Sequence, residues 1–238
     1  MPSDPNPNLS DSPVSIVSVP AGNGLHWIAE AWTLFKKAPW MMIALWLVLM
    51  IIVTAANLIP LVGQILTPAL MAGFMLGLAQ LEKEGTLRIE ALFEGFKTQA
   101  GPLLVMGVLF VITILLLTVV FGVAIALTLS AMSGESAVIA VLGALLLALL
   151  GIAALLIVVF AMWWAPCLVV FNGLKPGEAM KTAAGAIFRN LLPSLVYSLV
   201  LILLYLVVVV TVGLGIFVVA PLVIVSAYTS YKDIFRSL

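Results

Sequence analysis

The sequence predicts an all-α polytopic membrane protein, with six transmembrane helices arranged as three hairpins and a cytoplasmic amphipathic helix ahead of each hairpin. Three observations lead there. The chain is 64% hydrophobic and only 8% charged, where a soluble globule carries roughly 25% charged residues. Several apolar stretches reach the ~20 residues a helix needs to cross ~30 Å of hydrocarbon. All ten Lys and Arg (Lys36, Lys37, Lys83, Arg88, Lys97, Lys175, Lys181, Arg189, Lys232 and Arg236) can be threaded onto one side of a bilayer, and membrane-adjacent Lys and Arg stay on the cytoplasmic face.

Residues 1–24 are rich in Pro, Ser, Asn and Asp, include Asp4 and Asp11, and hold no basic residue. A signal peptide needs a basic start and a short apolar core, so the segment reads as a disordered tail. The rest, 25–238, reads as one transmembrane domain. Its first helix places Leu25, Ile28, Trp32 and Phe35 on one apolar face, with Glu30, Lys36 and Lys37 elsewhere and Asn23 as N-cap. The first span covers 40–59 and stops at Pro60; the second covers 63–81 and ends at Glu82, Lys83 and Glu84.

A second amphipathic segment follows, with Ile89, Leu92, Phe93 and Phe96 on its apolar side and Glu90, Glu94 and Lys97 on its polar side. The third span runs over 103–130, up to the polar break Ser133, Gly134, Glu135 and Ser136. The apolar stretch 137–171 would extend more than ~50 Å as one helix. Read as two spans, it moves Lys175, Lys181, Arg189, Lys232 and Arg236 to the opposite face; read as one, it keeps all ten basic residues together. One span, and six in all, is therefore the expectation, with the excess projecting beyond the bilayer or lying in its outer interface. The last two spans cover 191–211 and 216–231, joined by Gly213, Leu214 and Gly215. Both termini are then cytoplasmic.

The chain also reads as three degenerate repeats, 25–84, 85–174 and 175–238. Glu30-Ala31, Glu90-Ala91 and Glu178-Ala179 each lead to a Phe–basic pair (Phe35-Lys36, Phe96-Lys97, Phe188-Arg189) and then to Pro39, Pro102 or Pro193. The second span of each hairpin carries a proline after a small residue: Thr67-Pro68, Ala165-Pro166 and Ala220-Pro221. An interfacial helix with basic residues toward its end suits both anionic headgroups and the helix dipole.

Several chemistries are disfavoured. Zero net charge gives no field for nucleic acid. Cys167 is the lone cysteine and reads as a structural thiol, and His26, the sole histidine, has no companions for a metal site. No nucleophile–base–acid set or phosphate loop is visible, so the chain is expected to be neither an enzyme nor a cofactor protein. An enzyme of lipid metabolism would have to rely on the recurring Glu30, Glu90 and Glu178. No ionisable residue needs to lie mid-membrane, which disfavours an ion-coupled pump. Ala69, Gly73 and Gly77 permit close helix approach, inside the domain or at a dimer interface, with internal packing the expectation. Asn57, Gln64, Gln80, Ser194, Tyr197, Ser198, Tyr205, Ser226 and Tyr228 read as helix-to-helix glue, and Glu82, Glu84, Glu90 and Glu94 as a solvated face. Trp163 and Trp164, and Tyr228, Tyr231 and Phe235 beside Lys232 and Arg236, read as interface anchors.

The Trp27, Trp32, Phe35, Pro39 run, Leu92-Phe93-Glu94-Gly95-Phe96, Ala165-Pro166 with Pro176-Gly177-Glu178-Ala179, Arg189-Asn190-Leu191-Leu192-Pro193, and the closing 228–235 segment resemble a family of bacterial inner-membrane proteins. That family is YciC-like and distantly similar to the membrane region of some glycerophosphodiester phosphodiesterases. The resemblance implies a six-span cytoplasmic-membrane protein, and no hydrolase activity is carried over from it. The functional expectation is a non-enzymatic scaffold or accessory subunit whose partners are membrane lipids, other membrane proteins or a second copy of the chain. Lys36, Lys37, Lys97, Lys181, Arg189, Trp32, Trp163 and Trp164 are the expected headgroup or interface contacts. The alternative is a small transporter or lipid-handling protein with its site near Pro68, Pro166 and Pro221.

Overall fold

Three prolines mark where the chain turns into the membrane. The computed structural model describes residues 14–130 and 137–237. In it Pro39 opens α2 (Pro39–Ala56), and Pro193 lies in the first turn of α7 (Leu191–Val210). Pro102 falls within α4 (Glu94–Ser130), just after Gln99 leaves helical geometry at φ −142°, ψ 39°. The break has a local cause. Proline offers no N–H and crowds the turn before it, but is well accommodated in a first turn, where that N–H has no helical partner.

The other helices are α1 (Asn23–Phe35), α3 (Val62–Glu84), α5 (Ala137–Asn172), α6 (Pro176–Arg189) and α8 (Ile216–Ile234), with a 3-10 turn over Ile89–Phe93 ahead of α4. Six helices, α2, α3, α4, α5, α7 and α8, are long and apolar enough to cross a membrane. They form three hairpins. The 137–171 stretch is one helix within α5, so six crossings hold and the basic residues gather at one end of the bundle, called here the basic end. Glu135 and the polar break around it lie outside the described residues.

The helices differ in length and burial. α3 and α8 form the centre, and α8 is buried on every side from Pro221 to Tyr231. α5, with 36 residues, runs about 54 Å at 1.5 Å per residue, while α2, α7 and α8 have 18, 20 and 19. The α4–α5 hairpin therefore extends past its neighbours at the end away from the basic residues. Its side chains there, among them Leu127, Leu142 and Leu146, are exposed and apolar.

Small residues set the closest approaches. Gly73 faces the backbone carbonyl of Leu92, and Gly95 faces that of Ala69; a Cβ at either would collide with it. Gly77 meets Ala91, and Gly107 meets Ile65. The run Ala69, Gly73, Gly77 thus serves the internal packing of α3 on the 3-10 turn and α4. On the long hairpin, Ala140, Ala144 and Gly151 are buried, and Gly151 lies against the Phe121 ring.

Three sequence expectations need correction here. Residues 14–24, expected in a disordered tail, are ordered: β1 (Val14–Ile16) pairs antiparallel with β2 (Phe235–Ser237). Residues 1–13 lie outside the described residues. Asn23 does not cap α1; its amide instead donates to Asp233 at 2.7 Å. The face that α1 turns inward is Gly24, Trp27, Ala31, Leu34 and Phe35, whereas Leu25 and Trp32 are exposed. The reason is chemical as well as steric. Trp27 packs edge-on to Tyr197 and needs a partner for its indole N–H, while Leu25, Ile28 and Trp32 line an apolar groove along α7 and α8.

Candidate functional site: the basic end

The last turns of α8 tie the basic end together. Consecutive residues of an α-helix point ~100° apart, so a polar run at its end needs partners all around. Here each finds one on another element. Tyr197 of α7 and Ser226 share a hydrogen bond of 2.7 Å, and Tyr228 donates to Glu82 of α3 at 2.8 Å. Thr229 donates to the Trp27 carbonyl of α1 at 2.8 Å. Ser230 accepts from Trp164 Nε1 of α5 at 2.9 Å, and Tyr231 donates to Asn172 at 2.5 Å. Lys232 bridges Glu30 of α1 and Glu82 of α3 at 3.0 and 2.6 Å. Asp233 Oδ2 accepts from both Asn23 and Trp27 Nε1, each at 2.7 Å.

This hub revises several residue roles. Tyr228, Tyr231 and Phe235, read as interface anchors, are buried at 5%, 7% and 5% exposure, with Tyr231 stacked between Phe171 and Phe235. Trp164 is likewise an inward hydrogen-bond donor. Glu82, grouped by sequence with a solvated face, accepts from Tyr228 and Lys232. Sequence reasoning also missed Asn190, which is 1% exposed. Its amide donates to Val17 O and its Oδ1 accepts from Val19 N at 2.9 Å, strapping the N-terminal segment to the α6–α7 junction. Its place next to Arg189 in a polar break between helices was the available signal.

The expected contact residues do not form a single cluster. Lys36 and Lys37 are exposed after α1, Lys181 and Arg189 are exposed on α6, and none of the four makes an ion pair among the described residues. Lys97 pairs with Glu94 at 2.7 Å. Together with Lys83, Arg88, Glu84 and Glu90 these two line an open charged cleft of about 740 Å³. Trp32 is exposed and stacks on Phe35 at 5.5 Å. Trp163 is partly buried, with its indole against Tyr197. The indole most open at this end is Trp40, 82% exposed beside Pro39, which the sequence reading passed over although its position at the start of a span flagged it.

Of the three prolines in second spans, two meet. Pro68 and Pro166 line a cavity of about 240 Å³ with Gln64, Thr67, Met71 and Met162. Pro221 is buried within α8 and takes no part in it.

Six spanning-length helices closed at one end by this hub define a multi-pass α-helical membrane protein. Compared with protein-family models, curated proteins and solved structures, the chain matches none.

Proposed function

We propose that the chain is a non-enzymatic scaffold or accessory subunit of the bacterial cytoplasmic membrane, with both termini cytoplasmic, binding lipid headgroups and membrane partners at its basic end. The observation that carries this reading is a division of labour among charged groups. Glu30, Glu82, Lys232 and Asp233 are engaged in holding helices to one another, whereas Lys36, Lys37, Lys181 and Arg189 are exposed and free of ion pairs among the described residues. A braced layer displaying free cations beside long apolar helices suits an anionic leaflet. The threefold repeat belongs to this reading: Ala31, Ala91 and Ala179 are all buried. So does the resemblance to YciC-like proteins, from which no activity is carried over.

The cations suggest an orientation that labelling can test. Cys167 is fully buried, so engineered cysteines report without background. Leu214→Cys, in the exposed α7–α8 turn, should react with a membrane-impermeant maleimide in intact spheroplasts. Lys37→Cys should react only after permeabilisation, and the reverse pattern would sink the proposed topology. The scaffold role is tested by affinity purification from native membranes with protein and lipid mass spectrometry. A monodisperse chain that brings down no membrane protein would remove it.

A second reading, a carrier of a small neutral or lipid-like molecule, draws on the cavity between Pro68 and Pro166. Proline leaves carbonyls without an in-helix donor, and such breaks serve as binding points in transporters. Thr67→Trp, which fills the cavity, should abolish any uptake or lipid-transfer activity that the wild-type chain confers on proteoliposomes; unchanged activity would exclude the site.

A further inference from the structure

The charged cleft of about 740 Å³ at the basic end has a size within the ~300–1,000 Å³ of small-molecule sites. Two stretches of chain wall it. The last turns of α3 supply Lys83 and Glu84; Gly85, at φ 70°, ends that helix, and the chain returns through Arg88 in extended geometry to Glu90 in the 3-10 turn. Close packing of Gly77 on Ala91, both in the lining, fixes the distance between the walls. Below the charges the floor is apolar, with Leu76, Ala79 and Phe171.

The charges divide into those already engaged and those that are not. Lys97 pairs with Glu94 at 2.7 Å, and Glu84 accepts from Gln80 at 2.8 Å. Lys83, Arg88 and Glu90 are exposed and make no ion pair among the described residues. Opposite in sign and lining one cleft, they do not touch one another. The lining as a whole is balanced, with three basic and three acidic side chains. A simple anion at Lys83 and Arg88 would therefore lie among carboxylates, and a simple cation at Glu90 among basic groups; a zwitterion meets both signs at once.

Each half of that zwitterion has a chemical requirement. The Arg88 guanidinium takes two anionic oxygens as a fork and Lys83 adds a point charge, a combination suited to phosphate. Glu90 as a carboxylate only accepts, so the cationic half must carry N–H donors. The exposed Ile89 and Phe93 beside the cleft turn this rim toward the membrane interface.

We propose that this cleft binds a phosphate ester carrying a primary amine, the phosphoethanolamine group, with its phosphate on Lys83 and Arg88 and its ammonium on Glu90. A membrane lipid or a soluble phosphodiester presents the same group. The site deepens the headgroup binding proposed above and rests on it: one cleft takes a zwitterionic headgroup, where the outlying Lys36, Lys37, Lys181 and Arg189 face anionic ones.

Native mass spectrometry of the full chain, delipidated in detergent and titrated with phosphatidylethanolamine, phosphatidylcholine or phosphatidylglycerol, tests the site. The wild type should bind one phosphatidylethanolamine about threefold or more tighter than phosphatidylcholine, whose quaternary ammonium has no N–H. Glu90→Gln should erase that difference while strengthening phosphatidylglycerol, which no longer meets the carboxylate. Arg88→Gln should weaken both zwitterionic lipids about threefold. Glu178→Gln, on α6 outside the cleft, should change nothing. All three substituted side chains are exposed, size exclusion checks the fold, and opposite shifts for two lipids do not arise from general damage. Equal binding of phosphatidylethanolamine and phosphatidylcholine by the wild type overturns the proposal, as does a preference that survives Glu90→Gln or falls equally in Glu178→Gln. Glycerophosphoethanolamine separates the sources: displacement of the lipid at equal affinity assigns the soluble ester, and lipid binding without displacement assigns the lipid. Phosphatidylglycerol binding that is unchanged when Lys36, Lys37, Lys181 and Arg189 are neutralised together counts against the anionic-headgroup reading and not against this site.

Discussion

The two ends of the bundle are held by different physics. At the basic end, every polar side chain from Ser226 to Asp233 reaches a partner on another helix, and the elements joined are up to about two hundred residues apart in sequence. At the far end, the described part of the α4–α5 hairpin is mainly apolar and is closed by small residues, Ala140, Ala144 and Gly151, against its partner helix. The contrast follows from the solvent. Lipid tails are as apolar as leucine, so burying leucine there gains little; close backbone approach and hydrogen bonds must do what the hydrophobic effect does in water. The basic end, at the membrane surface, can use both.

Glycine substitution separates the two regimes most sharply. Gly73→Ala places a Cβ into the carbonyl of Leu92, which cannot move without separating α3 from the 3-10 turn, and should cost about 3 kcal/mol. Gly151→Ala meets only the Phe121 ring, 2.9 Å from the added carbon, and a rotating side chain should limit the loss to about 1 kcal/mol. Both are read from reversible unfolding in mixed micelles. Equal losses would mean that the long hairpin is packed as tightly as the core.

The hub comes next. Asp233→Ala strands the Trp27 indole N–H and the Asn23 amide and should destabilise by about 2 kcal/mol, while Asp233→Asn keeps an acceptor and should lose about half as much. Lys232→Met should cost only about 1 kcal/mol, because its side chain and those of Glu30 and Glu82 are about one-third exposed and such pairs are screened by solvent. If Lys232→Met exceeded Asp233→Ala, charge rather than hydrogen bonding would be the main tie.

These sites also mark how far the sequence could be read. Span number and the single long helix followed from the distribution of basic residues, because charge is costly in hydrocarbon wherever the neighbours lie. The roles of Tyr228, Tyr231 and Trp164 did not follow. An aromatic beside a lysine has the same local signature whether its ring faces lipid or a buried Asn172 or Ser230, and those partners are 59 and 66 residues away. The same holds for α1, which has apolar residues on two faces; only Asp233, 206 residues on from Trp27, decides which face turns inward.

A backbone effect of intermediate size tests the turn that closes the third hairpin. Val212 holds φ 54° at 91% exposure, next to Gly213 at φ 89°. A β-branched residue in the left-handed region is strained by about 1–2 kcal/mol, and glycine adopts it freely at some entropic cost to the folded state. Val212→Gly should therefore stabilise by about 1 kcal/mol in the same unfolding assay. No stabilisation would mean that the strain is already relieved by the Thr211 hydroxyl, which accepts from Gly215 N at 2.8 Å.

The smallest expected effect tests the premise of the comparison. Leu146 on the extended hairpin is 59% exposed, and against lipid tails its truncation to alanine removes little that lipid does not restore. Leu146→Ala should change stability by no more than about 0.5 kcal/mol in detergent, and Leu142→Ala likewise. The same substitutions in native membranes separate lipid from protein as the covering of this surface. Should either lower chain abundance or crosslinked dimer there while leaving the detergent-solubilised monomer unaffected, the hairpin meets a second polypeptide. Its extra length would then be an interface rather than an overhang.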